Sequence, residues 1–137
     1  MLNKPKKTQF KIFHNLKKPV ICNLKSRFLK TKCGLIACEN GILTAAQIAA
    51  ATLSIKRKIK IYTLLVRVFP HLPVTKRPIE QPLGKGKSNV SYWATSIKKG
   101  SLIFELNTSN LMLTKAALIA ASYKLPIKTQ IVYKLEP

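Results

Sequence analysis

An α+β fold is predicted for this chain: a two-layer sandwich of a mixed or antiparallel sheet with two helices, an extended basic N-terminal arm and a Gly/Lys loop. Three observations predict it. The capping-box signature Thr44-Ala45-Ala46-Gln47 opens a stretch whose apolar residues recur at helical spacing. An alanine-rich segment after Asn110 repeats that periodicity nearer the C-terminus. Around them lie short runs rich in Val, Ile, Thr, Tyr and Phe, bounded by Gly, Pro and Asn, which is the pattern of strands. At 137 residues the chain has the size of one ordinary domain. It divides into a basic arm over 1–26 and a single folded domain over 27–137.

In the arm, Lys4, Lys6, Lys7, Lys11, Lys17, Lys18 and Lys25 carry charge, while Pro5 and Pro19 break any helix. Phe10, Ile12 and Phe13 interleave with the cations, which suits a segment threaded between RNA helices. A mitochondrial targeting peptide is the rival, but such peptides are Arg-rich and Ser-rich, and the first Arg here is Arg27. Arg27 to Cys38 reads as a strand or bent strand pair, closed by the turn Glu39-Asn40-Gly41. The helix capped at Thr44 runs to about Lys58, with Ile48, Ala51 and Ile55 as its core stripe. Lys56, Arg57, Lys58 and Lys60 crowd its C-terminal end, either as a solvated end matched to the helix dipole or as an RNA contact.

Ile59 to Phe69 alternates as a strand, with Ile61, Leu64, Val66 and Val68 facing inward. Pro70, Pro73, Pro78 and Pro82 then predict a long, stiffened loop from Pro70 to Lys87. Asn89 to Ile97 and Ser101 to Leu106 form an expected hairpin about Lys98-Lys99-Gly100, with Trp93 read as a mid-strand core residue in preference to a ring that stacks on a base. Asn110 or Ser109 caps the second helix, which runs to about Lys124 with Leu113, Ala117, Ala120 and Ala121 as its packing face. Ile127 to Tyr133 is the last strand.

Charge narrows the function. Twenty-five Lys and Arg stand against four Glu and no Asp, a net charge of +21, which implies a polyanionic partner. The 47% hydrophobic content is too high for a disordered basic tail. Glu39, Glu80, Glu105 and Glu136 are scattered, which leaves neither a carboxylate pair for acid–base catalysis nor a cluster for a hard cation. Cys22, Cys33 and Cys38 are odd in number and contain no C-x-x-C pair. With His14 and His71 they fit neither a zinc site nor a disulfide scaffold, and they read as reduced thiols. Neither Cys38 nor His71 has an activating neighbour, so no enzyme is expected, and no cofactor, metal or small-molecule substrate. His71, after Pro70, reads as an exposed turn residue or a ring for stacking on RNA. No apolar run reaches the length of a membrane span and no signal-type apolar region opens the chain, so no membrane partner is expected.

Gly84-Lys85-Gly86-Lys87-Ser88 closes the proline-rich segment. It is not a phosphate loop of the Walker type, because Gln81 stands where its first Gly belongs and a strand follows instead of a helix. Glycines let backbone N–H groups approach phosphates, and the lysines neutralise them. In so basic a chain this loop is the leading candidate for nucleic-acid contact.

Arg67-Val68-Phe69-Pro70, Pro73-x-Thr75, Pro78-x-Glu80, Gly84-Lys85-Gly86-Lys87, Tyr92-Trp93, Gly100 and Lys124-Leu125-Pro126-Ile127-Lys128-Thr129 occur in this order. Gly34-Leu35, Glu39-x-Gly41, Leu43-Thr44, Gln47-Ile48 and the opening Met1-Leu2-x-Lys4-Pro5-Lys6-x-Thr8-x-Phe10 precede them. The series resembles the bacterial and organellar family of large-subunit ribosomal protein sixteen over nearly the whole chain. The resemblance implies an α+β protein seated on large-subunit ribosomal RNA near the aminoacyl-tRNA site and beside neighbouring large-subunit ribosomal proteins. It implies ribosomal RNA contacts for Lys4, Lys6, Lys7, Lys11, Arg67, Lys76 and Arg77. It also implies a loop of Gly84, Lys85, Gly86, Lys87 and Ser88 reaching toward aminoacyl-site tRNA, with roles in tRNA positioning and late subunit assembly. Pro82, Leu83 and Ser88 stand where the family carries Arg, Met and Gly, and Ala49 and Thr52 where its first helix carries Glu and Arg.

Those departures, a start that aligns at Met1, and 21 Lys against four Arg in a chain rich in Ile and Asn point to a mitochondrial genome and the mitochondrial ribosome. A plastid copy is expected to stay closer to the bacterial pattern. The competing reading is a non-ribosomal RNA-binding protein or RNA chaperone, which the charge alone permits.

Overall fold

A computed structural model describes residues 4–8, 33–60, 63–76 and 89–133. Helix α1 (Ala45–Lys58) begins where the capping box places it: Gln47 N–H donates to Thr44 Oγ1 at 3.3 Å, and Thr44 N–H donates to Gln47 Oε1 at 2.9 Å. Its buried face is Ala45, Ile48, Ala51 and Ile55, and the chain leaves the helix at Ile59 in an extended conformation. Helix α2 (Leu111–Ser122) is capped by Asn110, whose Oδ1 accepts from Met112 N–H at 3.0 Å and Leu113 N–H at 3.3 Å. With its first turn fixed there, α2 buries Thr114, Ala117, Leu118 and Ala121 and packs on α1. The expected face was right at Ala117 and Ala121. Leu113, however, points outward and is exposed, because the cap at Asn110 puts it beside the stripe.

The described strands form two antiparallel sheets, where one had been expected. Strands β3 (Thr63–Val66), β6 (Leu102–Asn107), β1 (Cys33–Ala37) and β7 (Thr129–Tyr133) lie side by side in that order in a four-stranded sheet. Strands β2 (Gly41–Thr44), β5 (Val90–Ile97) and β4 (Leu72–Thr75) make a three-stranded one. Leu35 sits opposite Phe104 on one side and Ile131 on the other. Leu35, Phe104, Leu106, Leu43, Ile97, Ile48, Ile55 and Leu118 belong to one buried cluster, so both sheets and both helices share a core. Helix α1 contacts β2 and β5, and α2 contacts β1 and β7.

Three strand expectations need correction. Strands β5 and β6 are consecutive but do not pair: β5 lies between β2 and β4, and β6 lies between β3 and β1. The turn between them is held by a third strand. Gly100 N–H donates to Ala37 O at 2.8 Å, Ala37 N–H donates to Ser101 O at 3.0 Å, and Gly100 has a φ of 84°, which favours glycine. Docking on the end of β1 steers the chain from one sheet into the other. Second, the proline-rich stretch contains strand β4, with Pro73 opposite Trp93. A proline is tolerated there because β4 is an edge strand, where its missing N–H breaks no inner ladder. Third, β3 spans only Thr63–Val66. Leu64 and Val68 pack partly on the core, Val66 is exposed, and Ile61 lies outside the described residues. Trp93 is half-buried rather than a full core residue.

The short connection after β1 clamps the other chain segments around it. Cys38 N–H donates to Lys128 O at 2.8 Å, Lys128 N–H donates to Glu39 Oε1 at 2.8 Å, and Lys99 N–H donates to Asn40 Oδ1 at 2.6 Å. Gly41 then passes so close to Ile127 that a Cβ placed on it would lie 2.2 Å from Ile127 Cγ2. Gly41→Ala is therefore expected to lower stability by about 1–3 kcal/mol through overpacking. A thermal melt measures it, and Ile127→Ala in the same chain should recover part of the loss. An unchanged melting temperature would show that Ile127 moves aside freely.

Candidate nucleic-acid interface

The cations lie outside the core. Lys56, Arg57 and Lys58 occupy the last turn of α1 and are exposed, as is Lys60 just beyond it, where the negative end of the helix dipole favours them. Lys4, Lys6 and Lys7 are exposed in the short described part of the arm. Lys76, exposed at the end of β4, has its Nζ 5.9 Å from the centre of the Tyr92 ring, at the outer limit of a cation–π contact. Lys11, Arg77 and the loop residues Gly84, Lys85, Gly86, Lys87 and Ser88 lie outside the described residues. The structure thus describes Arg67 and Lys76 at the two ends of the β3–β4 connection and its strand, but not the loop they were expected to support.

Arg67 has a partner that the sequence reading did not pick out. Its Nε lies 3.4 Å from Oε1 of Glu105, an ion pair at that length more than a hydrogen bond. Glu105 is 0% exposed in the middle of β6, opposite Gly34 of β1 and Leu65 of β3, while about a third of the Arg67 side chain (32%) is open. Arg67 N–H also donates to Ile103 O at 2.9 Å, so the backbone fixes where the side chain starts. The signal was a lone acid inside Leu102-Ile103-Phe104-Glu105-Leu106, a run otherwise apolar and wholly buried. A charge in such a run must be paired.

Beside Arg67 opens a cleft of about 320 Å³ between the β3–β4 connection and the β5–β6 turn. Phe69, His71, Thr95, Ser96 and Ser101 are among the residues that line it. His71 is exposed, and its Nδ1 lies 3.1 Å from Phe69 O, so an Nδ1–H there donates to the carbonyl. A second cleft, of about 350 Å³, lies between Lys58, Lys60 and the Asn110 cap of α2. Cys33 is buried, and burial pushes its thiol up in pKa, which makes it less reactive. Cys22 and His14 lie outside the described residues. No helix among the described residues is long and apolar enough to cross a membrane.

The Arg67–Glu105 pair makes a stability prediction. Arg67→Met takes a positive charge away from a fully buried carboxylate and should cost about 3 kcal/mol in urea denaturation. Arg67→Met combined with Glu105→Met should regain most of that. A loss under about 0.5 kcal/mol for the single variant would show the pair to be as solvent-screened as a surface one.

Known proteins resemble this chain along most of its length. Residues 3–132 match the family described as "Ribosomal protein L16p/L10e". The "Large ribosomal subunit protein uL16" of Psychrobacter cryohalolentis is 40% identical over 129 residues, which is 93% of this chain and 94% of that protein. The protein of the same name from Acinetobacter baumannii is 38% identical over the same shares. These relatives are bacterial. Their family consists of structural proteins of the ribosome rather than enzymes. A basic exterior around an apolar α+β core, matched from residue 3 to residue 132, places the chain in the ribosomal protein L16p/L10e family.

Proposed function

We propose that the chain is a structural constituent of the large ribosomal subunit. In this reading it binds large-subunit ribosomal RNA near the aminoacyl-tRNA site, beside neighbouring large-subunit ribosomal proteins, and helps position tRNA and complete subunit assembly. The observation that carries this reading is the family match over residues 3–132. A charge of +21 supports it, because phosphate contacts dominate such binding and base contacts only refine it.

The roles divide by position. Lys4, Lys6, Lys7 and Lys11 in the arm over 1–26 hold RNA as the chain threads between helices, while Arg67, Lys76 and Arg77 hold phosphates near the base of the loop. Gly84, Lys85, Gly86, Lys87 and Ser88 face aminoacyl-site tRNA. The ribosome in question is mitochondrial, in the matrix. Support for that comes from 21 Lys against four Arg and from Pro82, Leu83 and Ser88 at positions where the family carries other residues.

Tagged protein followed through a sucrose gradient, before and after a high-salt wash, tests the ribosomal reading. One copy per large subunit in both gradients is expected. Loss on washing, or migration at the top, would favour a free RNA-binding protein or RNA chaperone. Particles prepared from isolated mitochondria test the compartment, and absence of the protein from them would overturn that part. Lys85→Ala with Lys87→Ala should impair tRNA accommodation or late assembly while leaving the thermal melt unchanged. Normal translation by ribosomes carrying only that variant would contradict the assignment of the loop.

A further inference from the structure

We infer that the cleft beside Arg67 holds a single unpaired ribonucleotide of the RNA partner, its base stacked on Phe69 and its phosphate on the Arg67 guanidinium. This rests on the RNA-binding reading above and names a subsite within it.

Phe69 is 49% exposed in the segment that joins β3 to β4, whereas Phe104, the other phenylalanine among the described residues, is fully buried. An exposed aromatic face next to a cation is the arrangement on which unstacked bases settle, and every base offers a π-face to it. The cation differs from the surface lysines. Pairing with buried Glu105 leaves the two side chains formally neutral together, so Arg67 adds little to the general attraction for phosphate. What the pair supplies is direction, since a guanidinium carries five donors in a rigid fork and its Nε is turned toward Glu105. Glu105 is therefore a positioning residue for Arg67.

The walls of the cleft complete the fit. Thr95, only 4% exposed, joins Ser96 and Ser101 in lining it, so hydroxyls that can both donate and accept surround the space. His71 is oriented by its contact with Phe69 O, which turns its other ring nitrogen away from the backbone. The volume of about 320 Å³ is at the small end of the range for ligand pockets, roughly 300–1,000 Å³. It has room for one nucleotide and none for a duplex. RNA duplexes are recognised through backbone and shape, whereas unpaired bases are stacked on aromatic or guanidinium planes and read at their edges.

Binding of the full chain to a labelled ten-nucleotide oligoadenylate and to a blunt sixteen-base-pair RNA duplex, at one salt concentration, tests the inference. Phe69→Ala should weaken oligoadenylate binding at least about fivefold and leave duplex binding within about twofold. Phe69→Trp, which keeps a ring in place, should retain wild-type affinity for both, and thermal melts of each variant establish that it is folded. Glu105→Gln should lower oligoadenylate affinity while leaving the duplex unaffected. Equal binding of both RNAs by wild type and Phe69→Ala overturns the subsite and leaves RNA binding intact. An equal loss on both RNAs also overturns the subsite, because the subsite takes an unpaired nucleotide and not a duplex. Binding of neither RNA by the wild-type chain overturns the subsite together with the RNA reading.

Discussion

Twenty-five cations and four carboxylates cannot neutralise one another, and the rest of the structure is arranged around that imbalance. Among the described residues, the single buried carboxylate is Glu105, and it lies against Arg67. The remaining described lysines and arginines stay at or near the surface, where water and salt screen them. Helix α1 shows the same sorting on a small scale: one apolar stripe inward, no acid in its first turn, and Lys56, Arg57 and Lys58 at its last. The compensating charge has to come from outside the chain, and phosphate supplies it most densely.

A protein with so few anions has to hold its loops by means other than ion pairs. It does so with hydrogen bonds that engage the backbone. Glu39 spends its carboxylate on the backbone N–H of Lys128, Asn40 receives the N–H of Lys99, and Ala37 exchanges bonds with Gly100 and Ser101. Three connections therefore meet at the end of β1. The close approach of Gly41 to Ile127 is part of the same junction. The shared core is built of apolar side chains, with Leu35, Leu43, Ile55, Phe104 and Leu118 filling it from both sheets and both helices.

The helices were legible in the sequence because their signals are local. Thr44 and Gln47 are three residues apart, and so are Ile48 and Ala51, so cap and stripe can be read without knowing the rest of the fold. Strand pairing was less legible because it is decided at a distance. The apparent hairpin at Gly100 contains the right turn residue, but the partner of that turn is Ala37, more than sixty positions earlier. Pro73 could be placed in a strand only once β4 was known to be an edge. The same holds for the candidate interface. Arg67 and Lys76 stood out as cations, whereas Glu105 looked like one of four scattered acids until strand register set it opposite Gly34. The cleft is assembled from three separate segments, and of these only the Arg67-Val68-Phe69 run stood out in the sequence, without its partners across the cleft.

The salt dependence of RNA affinity measures directly whether phosphate is the missing counter-charge of this protein. Binding of the full chain to a large-subunit ribosomal RNA transcript would be followed across a range of potassium chloride concentrations. The logarithm of the association constant against the logarithm of salt should fall with a slope on the order of −4 or steeper, as expected when about six or more phosphates are neutralised. A slope shallower than about −1 would mean that phosphates contribute little to binding, and would contradict the claim that RNA balances the charge of this protein.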